Sequence, residues 1–369
     1  MRLAGERALD RLAAPWSIGP ADWFDDVERL RALFARVAGA DPDGVAIVPS
    51  TSYGLAVAAA NTEAAPGDRV VLLAGDFPSN VHTWTAWAER AGAEVVTVER
   101  ADHGQADSGW TEPAVDCLDE RVRVVSVPSV HWVDGSVVDL EQVARRAREV
   151  GALLVVDATQ SLGAMPLDLA AVRPDYLVTA GYKWLLGPLG TSYLYVAPEH
   201  RDGRPLEENW ANRAGAEDFE KAAPITGERG AARTGAQDGE GAPLRERAYR
   251  PGARRFDVGQ RSNFVLVPMA IAALEQVLDW GIEEIAAALE PVTARIEEQA
   301  RAIGFEPTAA RLRAPHMLGV GLPEEAARRW TSQNVHVEIL GSVLRVSPHL
   351  HVTDSDLESL FAELRRIDS

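Results

Sequence analysis

Apolar and polar positions along the chain switch repeatedly between helical and strand-like spacing. Val27, Leu30, Leu33, Phe34 and Val37 fall at helical intervals, and the pattern stops at Gly39. The Asp41-Pro42-Asp43-Gly44 turn precedes a short apolar strand, Val45–Val48. Thr51-Ser52 then reads as the N-cap of a helix carrying Leu55, Val57 and Ala58–Ala60. Beyond the Pro66-Gly67-Asp68 turn, the pattern predicts a strand at Arg69–Ala74, a helix over 79–92 with Trp84 and Trp87 on one face, and a strand at Glu94–Val98. Further strands are predicted at Arg121–Val127, Ala152–Val156, Tyr176–Thr179 and Ser192–Val196, with a helix over 139–150.

Continuous apolar strands separated by helices predict an α/β fold whose mostly parallel sheet is covered on both faces. Ligands of such sheets sit at the carboxyl ends of the strands. The rhythm breaks over 200–262, where 222–250 is rich in Gly, Ala, Arg and Glu without period and reads as a flexible surface insertion or flap. Residues 264–304 are strongly helical. Strands at His316–Leu322, Val335–Ile339 and Val343–Val346, followed by a helix from Asp354 to Ile367, predict a second, smaller α/β domain. The expected division is an N-terminal segment 1–20, a large domain 21–262, and connecting helices with a small C-terminal domain over 263–369. There is no internal repeat.

Composition narrows the functional classes. With 37 basic and 55 acidic residues the net charge is −18, which disfavours phosphate backbones and anionic lipid surfaces. No window approaches the ~18 apolar residues of a membrane span, and no apolar run follows the charged start, so a soluble cytoplasmic protein is expected. The single cysteine, Cys117, excludes an internal disulfide framework and a zinc site of paired cysteines. Only two of the basic residues are lysines, Lys183 and Lys221. Arginine cannot lose its proton, so a lysine retained in so arginine-biased a chain is a candidate for amine chemistry.

Asp157 ends a predicted strand in Val156-Asp157-Ala158-Thr159-Gln160-Ser161-Leu162-Gly163, and Lys183 follows another in Thr179-Ala180-Gly181-Tyr182-Lys183-Trp184-Leu185-Leu186-Gly187-Pro188. Two strand ends of one parallel sheet thus offer a carboxylate and an amine to one crevice. The pair could be a buried ion pair, which gives little net stability. It could instead grip opposite ends of an aromatic aldehyde cofactor, the amine forming a Schiff base and the carboxylate holding a pyridine nitrogen protonated. Ser50-Thr51-Ser52-Tyr53-Gly54 opens a helix directly after a strand, where free N–H groups and hydroxyls bind phosphate without basic side chains.

Strand-Asp-x-x-Gln-Ser-x-Gly, a lysine 26 residues after the aspartate, and Trp-Leu-x-Gly-Pro-x-Gly together resemble the class V branch of fold type I pyridoxal-phosphate enzymes. That branch holds cysteine desulfurases, kynureninases, isopenicillin N epimerase-like proteins and several aminotransferases. The resemblance runs from about Ala21 to the C-terminus. It implies pyridoxal 5'-phosphate as cofactor, a small-molecule α-amino acid as substrate, and a homodimer with active sites between subunits. By similarity Lys183 forms the Schiff base and shuttles the Cα proton, Asp157 pairs with the pyridine nitrogen, and Gln160 donates to the phenolic oxygen. Asp76-Phe77-Pro78-Ser79-Asn80 resembles the segment whose ring stacks on the cofactor, which assigns Phe77 to stacking and Asn80 to the substrate. Trp132 lies in the loop beneath the ring, where desulfurases carry an Asn. Gln260 resembles a residue reaching the phosphate of a partner subunit, and Arg345 the arginine that clamps the substrate carboxylate.

Departures from the family pattern shape the expectation too. The usual segment before the first helix is short here, which predicts that part of the substrate pocket is missing. Ala180 and Gly181 replace a customary Ser or Thr, placing more of the phosphate's weight on Thr51, Ser52 and Tyr182. No cysteine lies between Ala314 and Arg345, where persulfide-forming desulfurases carry their nucleophile. The expected chemistry is Cα deprotonation leading to amino transfer, β-elimination or epimerisation. A nucleotide-binding oxidoreductase would need a Gly-x-Gly-x-x-Gly turn, which is absent. A non-catalytic relative would have little reason to keep Asp157, Gln160 and Lys183 together.

Overall fold

A computed structural model describes residues 1–100, 109–218, 248–330 and 334–368. It contains a mixed seven-stranded sheet and a separate four-stranded sheet. The strands are β1 (Val45–Val48), β2 (Arg69–Leu73), β3 (Glu94–Val98), β4 (Val122–Pro128), β5 (Leu153–Asp157), β6 (Tyr176–Ala180), β7 (Ser192–Val196), β8 (Glu306–Pro307), β9 (Leu318–Gly321), β10 (Glu338–Leu340) and β11 (Val343–Val346). The large sheet has the order β1-β7-β6-β5-β4-β2-β3. Its β2, β3, β4 and β5 pair in parallel. The sheet is mostly parallel, as expected, and the exception is β7, which runs antiparallel to both β1 and β6. The short Gly181–Thr191 connection is the physical reason, because a parallel crossover needs a dozen or more residues.

The chain divides into two compact units, Met1–Glu63 with Pro174–Gln276, and Ala64–Arg173 with Val277–Ser369. In the first, all four β1 residues are buried, although β1 is an edge strand. Its outer backbone is covered: Ile47 N donates to the Asp257 carboxylate at 2.8 Å, and Val258 N donates to Ile47 O at 3.1 Å. Such cover removes an edge that would otherwise template aggregation. Helix Asp25–Ala38 packs behind β1 and β7, with Phe34 stacked on Tyr193 at 4.1 Å between ring centroids. Residues 2–12, within the N-terminal segment expected over 1–20, form a helix with Gly5 and Ala8 buried.

In the second unit, helix Pro78–Ala91 opens with proline at its first turn and buries Trp84 and Trp87. The other edge strand, β3, is largely exposed and carries a single charge, Glu94, at its start. The small sheet, ordered β10-β11-β9-β8, is antiparallel throughout. Ile296, Phe305, Leu318, Val320, Leu344 and Phe361 form its core with helices Ile282–Ile303 and Asp354–Asp368. The strongly helical stretch expected over 264–304 forms two helices, Leu266–Trp280 and Ile282–Ile303, parted at Gly281, whose φ of 77° only glycine adopts readily. Of the insertion expected over 222–250, only 248–250 fall within the described residues, and there Tyr249 makes a backbone bridge to Arg213. Lys221 lies outside them.

Candidate active site

The first unit carries the amine and the hydroxyl-rich helix terminus. Helix Thr51–Ala60 follows β1 directly. Its cap is Ser50, one residue earlier than expected: Ser50 Oγ accepts from Tyr53 N at 3.1 Å and bonds Ser52 Oγ at 2.9 Å. Thr51 is half-buried and Ser52 exposed, so both hydroxyls stand at the positive end of the helix dipole. Gly54 lets this helix approach β6, since a Cβ there would lie 2.6 Å from Val178 Cγ1. Tyr53 keeps its phenolic proton firmly, because burial and the negative charges of Glu207 and Asp257 push its pKa up.

Lys183 follows β6 in a tightly closed loop. Gly181 N donates to Thr191 O at 3.0 Å, Gly187 N to Gly181 O at 2.7 Å, and Leu186 N to Lys183 O at 3.0 Å. Leu186 sits at φ 55°, a left-handed conformation that costs a non-glycine residue about 1–2 kcal/mol. Strain of this kind is held where the surrounding structure dictates it. Lys183 is half-buried between exposed Tyr182 and buried Trp184. Gln260 is exposed on the strap that covers β1. Asp257 anchors that strap from a fully buried position, bonding Arg31 at 2.7 Å and Arg261 at 3.0 Å.

The second unit carries the carboxylate. Asp157 ends β5, opposite Pro128 of β4, and is 8% exposed. Thr159 N donates to its Oδ1 at 2.8 Å, and Ser129 N to its backbone oxygen at 3.0 Å. The Ser129 and Ser161 hydroxyls bond at 2.6 Å, tying the loops after β4 and β5 together. Buried Gln160 has its backbone oxygen bonded to His316 Nε2 at 2.6 Å. Burial holds His316 neutral, lowering its pKa to about 4.

Phe77 and Trp132 meet edge to face with centroids 5.4 Å apart, and Trp132 Nε1 donates to Gly75 O at 2.7 Å. The expected contact of Asn80 with substrate does not fit its placement. Asn80 is fully buried; its amide donates to Asp76 at 2.7 Å and its oxygen accepts from Ser126 Oγ at 2.7 Å. Burial and the nearby charge of Asp157 push the Asp76 pKa up to about 6. Arg345, on β11, donates through Nη1 to Trp132 O at 2.8 Å and pairs with Glu338. His131 stacks on Trp110 at 4.8 Å and bonds Ala74 O through Nε2 at 3.2 Å, a supporting position behind the loops.

Thr51, Ser52, Tyr182, Lys183 and Gln260 thus belong to the first unit, and Asp157, Gln160, Phe77, Trp132 and Arg345 to the second. Sequence reasoning missed Ser50, Asp76, Asp257, His316 and Glu338. Ser50 carried a usable signal, since a serine after a strand and before a helix is a better cap than the residue following it. Among the described residues, no group of three or more His, Cys, Asp or Glu side chains could hold a metal, and no helix is long and apolar enough to cross a membrane.

Comparison with known proteins places the chain in a family. An uncharacterized aminotransferase of Bacillus subtilis is 28% identical over 350 residues, covering 93% of this chain and 85% of its own. A probable cysteine desulfurase of Methanothermobacter thermautotrophicus is 34% identical over 174 residues, 46% of this chain and 42% of that protein. A cystine C–S lyase solved with its product cysteine persulfide shares the fold at a TM-score of 0.81 and 19% identity, over 98% of this chain and 92% of that one. The family model described as aminotransferase class-V matches residues 21–207. The chain belongs to the class-V aminotransferases, a family of pyridoxal-phosphate-dependent enzymes.

Proposed function

We propose that this protein acts on an α-amino acid, binding its carboxylate at Arg345 and removing its Cα proton with Lys183. The observation that carries the reading is a buried strand-end carboxylate, Asp157, in one chain with Lys183, the only lysine among the described residues, in a strained loop after β6.

The residues fit pyridoxal phosphate. A helix N-terminus ringed by hydroxyls suits its phosphate, and a pair of neighbouring buried carboxyls, Asp157 and Asp76, suits a cationic ring nitrogen. When bound, the cofactor supplies an aldehyde for amines and a ring that draws electrons from Cα. Lys183 would hold it through its amine, and that same amine is the base that would take the Cα proton of the substrate. Asp157 keeps the ring nitrogen protonated, and Gln160 donates to the phenolic oxygen. Thr51, Ser52 and Tyr182 bind the phosphate, Phe77 packs on the ring with Trp132 bracing the loops, and Gln260 reaches the phosphate held by a second copy in a homodimer.

Once the Cα proton is removed, its delivery to the cofactor would give amino transfer, departure of a β-substituent would give elimination, and its return to the opposite face of Cα would give epimerisation. Amino transfer is the outcome favoured by the similarity to the Bacillus aminotransferase, which extends over nearly the whole chain. A cysteine-persulfide relay is disfavoured: Cys117 is the only thiol, and burial together with the charge of Asp116 raises its pKa, reducing its thiolate. A single cysteine also agrees with a cytoplasmic location.

The test is borohydride reduction of the purified yellow protein followed by peptide mass analysis. Cofactor mass is expected on the peptide holding Lys183, and the Lys183→Ala variant is expected to lack it. Retention of the same spectrum and the same modified peptide by Lys183→Ala would overturn the reading.

A further inference from the structure

We infer that Glu338 is a positioning residue that sets substrate affinity by competing, as a resident carboxylate, for the guanidinium of Arg345; this rests on the reading of Arg345 as the substrate carboxylate's partner. Glu338 and Arg345 are direct cross-strand partners on β10 and β11, so backbone register holds them together whether or not a ligand is present. Their side chains form an ion pair in which Arg345 is 17% exposed and Glu338 54%. The guanidinium is also fixed from the other side: Nη1 donates to Trp132 O at 2.8 Å, and its carbon lies 5.7 Å from the centre of the Trp132 ring. Trp132 in turn contacts Phe77 and Gly75. Arg345 is thereby aimed at the loops assigned to the cofactor.

The consequence is an exchange of carboxylates. An incoming α-carboxylate gains the strong charge-assisted geometry that a guanidinium offers, but only after Nη2 gives up Glu338. A pair whose acid is more than half exposed is weak, so the exchange lowers affinity modestly rather than blocking binding. Glu338 loses little on release, since water receives its carboxylate. The same negative charge disfavours any substrate carrying a second carboxylate near the first and tolerates one carrying a distal cation.

The probes are L-alanine and L-alaninol, which differ in the carboxylate, titrated into the cofactor-loaded protein while the cofactor absorbance is followed. Glu338→Gln, nearly isosteric and at an exposed position, is expected to tighten L-alanine about two- to fivefold and to leave L-alaninol unchanged. The gain should shrink at high salt. Arg345→Ala is expected to weaken L-alanine about tenfold or more and to abolish the effect of Glu338→Gln. If Arg345→Ala weakens L-alanine while Glu338→Gln does not tighten it, or tightens both probes alike, competition by Glu338 is overturned and the carboxylate reading stands. If Arg345→Ala leaves L-alanine affinity unchanged, the carboxylate reading falls and this inference with it.

Discussion

Replacing Asp76 by asparagine should change stability in a strongly pH-dependent way. Asp76 is 5% exposed and is held by the neutral donors Asn80 Nδ2 and Phe77 N, at 2.7 and 2.6 Å. Its pKa rises from 3.8 to about 6, chiefly because burial penalises the carboxylate and further because Asp157 is negative. The unfolded chain releases this proton near pH 4 and the folded chain near pH 6. Stability from this group is therefore intact below the unfolded value, declines as pH rises through the window, and levels off above the folded value. At ~1.4 kcal/mol per pKa unit the loss is on the order of 3 kcal/mol. Asparagine never ionises, but its amide faces that of Asn80, which costs about 1 kcal/mol at every pH. Denaturant unfolding of the cofactor-free wild type and Asp76→Asn, compared at intervals from pH 4 to pH 8, reads the titration of Asp76 together with its coupling to Asp157, because titrations of groups remote from it cancel. The variant should be the less stable protein at pH 4 and the more stable one at pH 8. A difference that stays level across the range, within about 1 kcal/mol, would show that Asp76 is ionised throughout and would refute its raised pKa.

Two further outcomes follow from close packing and from a neutral imidazole. Gly54→Ala should destabilise by about 1–3 kcal/mol through overlap with Val178, and thermal unfolding of Gly54→Ala with Val178→Ala should recover part of the loss, because the offending methyl is gone. His316 has its pKa lowered to about 4, so its contribution is complete above pH 6.5 and is lost as pH falls toward 4. His316→Gln should flatten this acid limb by on the order of 3 kcal/mol in pH-dependent denaturation, and an unchanged limb would place the loss elsewhere.

Much of the fold was legible because strand residues are apolar on both faces. Val45–Val48, Glu94–Val98, Ser192–Val196 and Val343–Val346 were read with the bounds they have. Strand direction was not: an apolar run looks the same from either end, and β7 is antiparallel because of its short connection. The alternation Val335, Val337, Ile339 was read as a strand starting three residues too early. Those valines do pack on the small core, but pairing begins at Glu338, where the turn at Gly341 sets the register with β11. For the candidate site, Asp157, Gln160 and Lys183 were visible because spacing at strand ends is encoded locally. Asp76, Asp257 and His316 were not, since each owes its setting to a partner far along the chain or to burial, and Glu338 was not, since its pairing with Arg345 depends on the β10–β11 register. Asp257 lies 226 positions from Arg31, and His316 lies 156 from Gln160.

The division of the chain bears on its synthesis. Met1–Glu63 belongs to the same compact unit as Pro174–Gln276, with more than a hundred residues of the other unit made in between. At roughly 5–20 residues per second, the leading segment waits on the order of ten seconds or longer on the ribosome before its remaining half emerges. During that interval Val27, Leu30, Phe34 and β1 have no completed core to enter, and the guanidinium of Arg31 has not met Asp257. The nascent protein thus presents a greasy, net-acidic segment to chaperones for longer than a chain of this size with contiguous domains would.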